Sequence, residues 1–329
     1  MTSKRTIGPF ALGPIGLGCM SLSYAYGTPP ETSHSARLLN HALDIGYDFI
    51  DTAALYGFGA NETLIGEAIG ARRSEYVLAS KCGMTGVDGK RVVDGRSETL
   101  LRTVDESLAR LRTDVIDLYY LHRWDKRVPI EESVGALGDM VASGKVRAIG
   151  LSEVSAATLR KAHAVHPIAA VQNEYSPWSR NVELGVLETA RELGASLVAF
   201  SPTARGFLAG RVQSADDLEE GDLRRSMPRF QGENLEHNLS LYERFNALAG
   251  QAGCTPAQLS LAWLLTRGDH VVPIPGTTSI RHLEENLAAG AIEIAPEIIA
   301  QIDALLDPAA IADARYPAAA QADIDTEEF

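Results

Sequence analysis

Residues 97–122 read SETLLRTVDESLARLRTDVIDLYYLH, and the fold is decided by how that run divides. Its first part carries Leu100, Leu101, Val104, Leu108 and Leu111 at the spacing of one buried helical stripe, with Ser97 placed as an N-cap. Its last part, VIDLYYL at 115–121, is almost continuously apolar and ends at His122. A strand this apolar is buried on both faces, as parallel strands are.

The same grammar recurs in both directions. Leu38, Leu39, Ala42 and Ile45 share a helical face, Gly46 stops the helix, and YDFID (47–51) begins a strand. Val134, Leu137 and Val141 repeat the stripe, Gly144 closes it, and VRAIG (146–150) follows. A helix over 183–193 ends at Gly194 before SLVAF (196–200). Thr255-Pro256 is an N-cap followed by a proline at the first helical position, opening a helix through Leu265 that precedes VVPIP (271–275). With IGLGC (15–19), YVLAS (76–80) and AAVQNEY (169–175) there are eight strand candidates, most separated by one helix. Eight such units in 329 residues predict a closed α/β structure, a (β/α)8 TIM barrel. An open doubly wound sheet is the alternative; it is weakened because no G-x-G-x-x-G lies between a strand and a helix. Residues 211–238 are polar, with DDLEE and RRSMPRF, and are expected to form a functional loop over the site. The tail, 309–329, is rich in alanine and acids; it is either partly disordered or laid over the barrel.

Composition narrows the function. A net charge of −13 argues against nucleic acid as a partner. Three scattered cysteines, Cys19, Cys82 and Cys254, give neither a disulfide framework nor a metal site, and fit a reducing cytoplasm. No signal peptide and no membrane-spanning run is expected.

The informative pattern is where polarity interrupts the strands. Asp51, Lys81, His122, Ser152, Gln172-Asn173 and Ser201 all stand at C-terminal strand ends. In a barrel those ends meet on one rim, where active sites form. Taken singly, each residue has an ordinary explanation: Asp51 as a turn or cap residue, Tyr56 as a packed aromatic, Lys81 as a solvated cation, His122 as a structural histidine. Together they favour catalysis.

At these residues the chain resembles the aldo-keto reductase superfamily. The resemblance is carried by GLGCMSLSYAYG (16–27), DTAALYGFGANE (51–62), SKCG (80–83), LYYLHRWD (118–125), GLSEVS (150–155), VQNEYSPWSR (171–180), AFSPTARGFLAG (199–210) and IPGTTSIRHLEEN (274–286). It spans about Ile7 to Leu305 and is nearest to the long-chain bacterial and plant branch. It implies one barrel domain over 1–329 with an N-terminal β-hairpin cap, and NADPH-dependent reduction of a small carbonyl substrate.

The resemblance implies four catalytic residues. Tyr56 donates a proton, Lys81 lowers the phenol from its ordinary pKa of about 10, Asp51 orients Lys81, and His122 binds the substrate oxygen. It places the cofactor on Gly18, Cys19, Met20 and Asp51; on Ser152 and Gln172, with Asn173 in support, at the carboxamide; and on Phe200 as the stacking ring. Ser201, Pro202, Arg205, Gly206 and Leu208 line the pyrophosphate. Gly276, Thr278, Ser279 and Arg281 hold the 2′-phosphate at a helix N-terminus, and Glu285 and Asn286 contact the adenine. Met20, Tyr24, Tyr56, His122 and Trp124 line the substrate pocket, making an aromatic or medium-sized aldehyde a reasonable substrate. Barrel packing for Phe200, and an ordinary capped surface helix after Gly276, are the competing explanations. The chain departs from the family's common pattern at Glu153, at Ala54-Leu55 and at Thr203-Ala204, and no departure removes a catalytic group. Two other functions fit this fold: a nucleotide-sensing regulatory subunit with weak catalysis, and a Schiff-base lyase using Lys81.

Overall fold

A computed structural model describes residues 4–87 and 90–329. The strands are β1 (Arg5–Ile7), β2 (Phe10–Leu12), β3 (Leu17–Gly18), β4 (Phe49–Asp51), β5 (Val77–Cys82), β6 (Met84–Val87), β7 (Lys90–Val93), β8 (Ile116–Leu121), β9 (Val146–Ser152), β10 (Ile168–Glu174), β11 (Ser196–Phe200) and β12 (Val271–Pro273). The helices are α1 (Thr32–Asp44), α2 (Ala60–Ile69), α3 (Ser97–Leu111), α4 (Ile130–Ala142), α5 (Ala156–Val165), α6 (Val186–Glu192), α7 (Gly232–Gln251), α8 (Pro256–Leu265), α9 (Ile280–Ala288), α10 (Pro296–Leu305) and α11 (Ala318–Gln321).

Each of the eight segments read as a strand contributes one. They pair in parallel in the order β3-β4-β5-β8-β9-β10-β11-β12. The ring closes because Gly16 and Gly18 donate their amides to the Pro273 and Pro275 carbonyls at 3.0 and 3.2 Å. Glycine is required at that seam: a Cβ on Gly18 would stand 2.8 Å from the Ile274 carbonyl oxygen.

Alternation along each strand separates two apolar layers. Ile50, Leu78, Tyr119, Leu121, Ile149, Leu151, Val171 and Leu197 face outward and pack under the helices. Phe49, Ala79, Leu118, Tyr120, Ala148, Ala170, Val198 and Val272 face inward and fill the barrel. The antiparallel β1–β2 hairpin adds Ile7 and Leu12 to that inner cluster and so plugs its N-terminal end.

Four local features differ from the sequence reading or add to it. Ser97 is the first residue of α3, and Arg96 holds the cap position without a side-chain bond. The segment 211–238 is not all loop: it makes short 3-10 turns and then enters α7 at Gly232. A second hairpin, β6–β7, follows β5. The tail lies over the barrel. Thr255 caps α8 as expected, accepting from the Gln258 amide at 3.2 Å.

Candidate active site

Strand phase explains which side chains meet. Asp51, Lys81, His122, Ser152, Gln172 and Phe200 continue the inward rows of their strands, and all but Lys81 line a cavity of about 740 Å³ at the C-terminal rim. Lys81 lies just beneath it, fully buried.

Tyr56 is delivered by the turn after β4. Gly57, Phe58 and Gly59 have φ values of 57°, 52° and 95°, a left-handed run that reverses the chain. Phe58 accepts this conformation without being a glycine and remains 52% exposed. The turn is pinned from behind. Thr52 donates to Asn61 Oδ1 at 2.6 Å, Asn61 Nδ2 donates to the Cys19 carbonyl at 2.9 Å, and Ser80 donates to Glu62 Oε1 at 2.5 Å.

Lys81 Nζ donates to Asp51 Oδ1 at 2.5 Å, to the Thr52 carbonyl at 2.7 Å and to Tyr56 Oη at 3.3 Å. The other Asp51 oxygen accepts from Gln172 Nε2 at 2.7 Å. The His122 ring stands edge-on to Tyr56 with centroids 5.9 Å apart. Its Nδ1 is buried and has no partner among the described residues, so Nε2 is the nitrogen left to serve the cavity.

Burial raises the Asp51 carboxyl, and Lys81 and Gln172 only partly offset it. Burial alone would depress Lys81, but Asp51 and Tyr56 together carry it above its usual value. Tyr56 differs from the sequence expectation. Lys81 does pull the phenol down, but burial is the larger effect and the phenol lies above its ordinary value. Burial, then Arg123, then Lys81, depress His122 well below the usual imidazole value. At neutral pH the arrangement is therefore a protonated phenol and a neutral imidazole beside a buried ion pair.

The rest of the cavity is lined by Phe200, Ser201, Pro202, Arg205 and Gly206, by Gly276, Thr278, Ser279, Glu285 and Asn286, and by Gly18, Met20 and Tyr24. Ser279 caps α9, so the free amides of that helix open on the cavity beside Arg211 and His282.

Besides Lys81, five predicted residues are not on the cavity. Asn173 is one residue out of phase with Gln172, so it faces outward and bonds Thr326 at 2.8 Å. Cys19 is out of phase with Gly18 in the same way and packs in the outer core. Leu208 is fully buried in that core, and its amide is used by the Thr203 carbonyl at 3.1 Å. Trp124 donates to the Val128 carbonyl at 2.8 Å and packs on the outer core. Arg281 is exposed and turns to His282. Arg205 does line the cavity, but its guanidinium is committed to Glu174 at 2.8 Å and the Tyr316 hydroxyl at 2.6 Å.

Sequence reasoning also missed residues. Arg123, Arg211, His282 and Tyr316 line the cavity. Arg123 adjoins a predicted residue at a strand end, which was a usable signal. Tyr316 had none, because the tail reaches the rim only through tertiary contacts. Arg315 pairs with Glu153 at 3.3 Å, Asp325 accepts from the Ser155 amide at 3.0 Å, and Glu327 accepts from the Ala156 amide at 2.8 Å. These bonds hold Tyr316, Pro317 and Ala320 as an outer wall.

The chain has clear counterparts. A family model described as the aldo/keto reductase family matches residues 14–307. An aldo-keto reductase of Schizosaccharomyces pombe, designated yakc [NADP(+)], is 43% identical over 320 residues, which cover 95% of this chain and 94% of that protein. The glycerol dehydrogenase AKR11B4 of Gluconobacter oxydans superposes with a TM-score of 0.82 at 28% identity, covering 93% of this chain and 97% of its own. An aldo-keto reductase of Klebsiella pneumoniae, solved in complex with NADPH, gives 0.73 at 28% identity over 94% and 96%. Matched in sequence along nearly its whole length and in barrel architecture, the chain belongs to the aldo/keto reductase family.

Proposed function

We propose that this protein reduces aldehydes or ketones to alcohols with NADPH, and that Tyr56 is the proton donor. The observation that carries the reading is the Tyr56 hydroxyl, 3.3 Å from a buried ammonium and on the wall of the large cavity. The cofactor is supported by the NADP(+) in the name of the yeast relative and by the NADPH bound to the Klebsiella enzyme.

The residues present fit that cofactor. A carboxamide offers one acceptor and one donor. Gln172 gives one of its two amide hydrogens to Asp51 and keeps Oε1 to accept; Ser152 Oγ accepts from Arg123 at 3.2 Å, leaving its own hydrogen to donate. The half-buried Phe200 ring lines the same cavity and offers a stacking face. The α9 N-terminus with Thr278, Ser279, Arg211 and His282 suits a phosphate, and Glu285 and Asn286 suit an adenine edge.

When bound, the dinucleotide supplies hydride. The chain supplies the rest. His122 Nε2 and the Tyr56 hydroxyl hold the carbonyl oxygen. As negative charge grows there, Tyr56 gives up its proton, and Lys81 stabilises the phenolate that forms. Asp51 keeps Lys81 charged and fixed in place. A phenol above its ordinary pKa is fully protonated at neutral pH, which is the state the reduction needs.

Tyr56→Phe tests this. NADPH consumption with benzaldehyde should fall by roughly 10²–10⁴-fold, with NADPH binding, followed by fluorescence quenching, retained. A variant as fast as the parent would remove Tyr56 as the acid.

A further inference from the structure

We propose that Arg123 is a specificity-determining residue whose guanidinium takes the carboxylate of a carbonyl substrate bearing one near its reacting carbon. This rests on the reductase reading and names a substrate class for it.

Arg123 follows His122 at the end of β8, and both line the cavity with Tyr56 and Ser152. Its Nη1 donates to the His122 carbonyl at 2.6 Å and to Ser152 Oγ at 3.2 Å. Those two bonds anchor the head, and both acceptors are neutral. The remaining donors of the fork are left for the cavity. Among the described residues, no carboxylate lies within ion-pair distance of Arg123. Two other arginines that line the cavity differ: Arg91 pairs with Asp323 and Arg205 with Glu174.

The acids that do line the cavity are engaged elsewhere. Asp51 is held by Lys81 and Gln172, Asp222 by Arg224, Asp217 by the Gln213 and Ser214 amides, and Glu219 by the Thr28 amide. Glu285 accepts from Thr255 at the far, α9 end. Among the described residues, the reacting end therefore keeps one positive charge without a carboxylate partner. That charge is felt at both reacting groups: it contributes to the depression of His122 and acts downward on the Tyr56 phenol.

Leu55, Met84, Tyr316 and Pro317 make the surrounding wall largely apolar. Against such a wall a guanidinium–carboxylate fork is stronger than in open water. A neutral substrate leaves that charge without an anionic partner among the described residues; a carboxylate neutralises it and orients the carbonyl.

The test compares 4-oxobutanoate with its methyl ester, which differ chiefly in the charge, at saturating NADPH. The parent enzyme should prefer the acid. Arg123→Met should lower the acid-to-ester ratio of kcat/KM by on the order of 30-fold, mainly through KM, and Arg123→Lys should restore part of it. An equal fall for both compounds, with weakened NADPH binding, would make Arg123 a support for Ser152 and overturn the proposal. So would a parent enzyme that turns over the ester as well as the acid, a result that needs no variant to fold. Failure of the parent with the acid, the ester and benzaldehyde alike would instead count against the reductase reading.

Discussion

Near the plugged end of the barrel the inward row reads Phe49, Ala79, Leu118, Ala148, Ala170 and Val198; two residues further along the same strands it reads Asp51, Lys81, Tyr120, Gly150, Gln172 and Phe200. The backbone, strand phase and enclosure are shared, and the chemistry is opposite. The first row is closed by the Ile7 and Leu12 plug and contributes through burial. The second holds a carboxylate and an ammonium whose desolvation costs several kcal/mol each. Replacing that pair with apolar groups would often leave a fold as stable or more so, so stability does not account for its presence, and the proposed reaction does.

The comparison breaks most visibly at Lys81. Lys81→Met should reduce turnover by roughly 10²–10⁴-fold, while Asp51, already raised by burial, takes up a proton and tolerates the loss. If the rate falls only in step with the folded fraction, measured by circular dichroism, the upper row is structural after all. The lower row should answer in the other currency. Leu118→Ala is expected to cost about 2–5 kcal/mol in denaturant unfolding, with kcat/KM kept well below its melting temperature. A large loss of turnover in a folded Leu118→Ala protein would erase the distinction between the rows.

The smallest effect sharpens it. Because His122 is depressed well below about 6.5, it stays neutral through the physiological range and contributes no titration there. Because Tyr56 is raised, the acid form persists until pH climbs past the ordinary phenol value of about 10. The reduction rate should therefore be level across neutrality and decline only in strong alkali. The reverse oxidation, which needs the phenolate, should rise over the same alkaline range. A bell centred near neutrality would mean the buried row is wetter than its geometry implies.

Much of this was legible from residue order. The eight strands could be read because both-face burial makes them nearly all apolar, and the polar residues ending them stand out for that reason. Strand alternation was equally available and would have separated Gln172 from Asn173 and Gly18 from Cys19, since adjacent strand residues cannot face the same side. Leu208 and Trp124 stand in irregular segments where no period applies. Arg281 and His282 are neighbours on one helix, and which of them meets the cavity depends on how α9 is seated. The sequence indicated that Tyr56 would feel Lys81; that burial outweighs the cation is a property of the assembled rim.

The strap formed by residues 315–327 has one more consequence. Asp51, Tyr56, Lys81 and His122 all come from the first half of the chain, whereas Tyr316, Pro317 and Ala320 come from its last turns. The floor of the cavity and part of its outer wall thus come from distant stretches of the sequence, joined by bonds such as Arg315 to Glu153 and Arg205 to the Tyr316 hydroxyl. A change in the tail can therefore reshape that wall while leaving Asp51, Tyr56, Lys81 and His122 as they are.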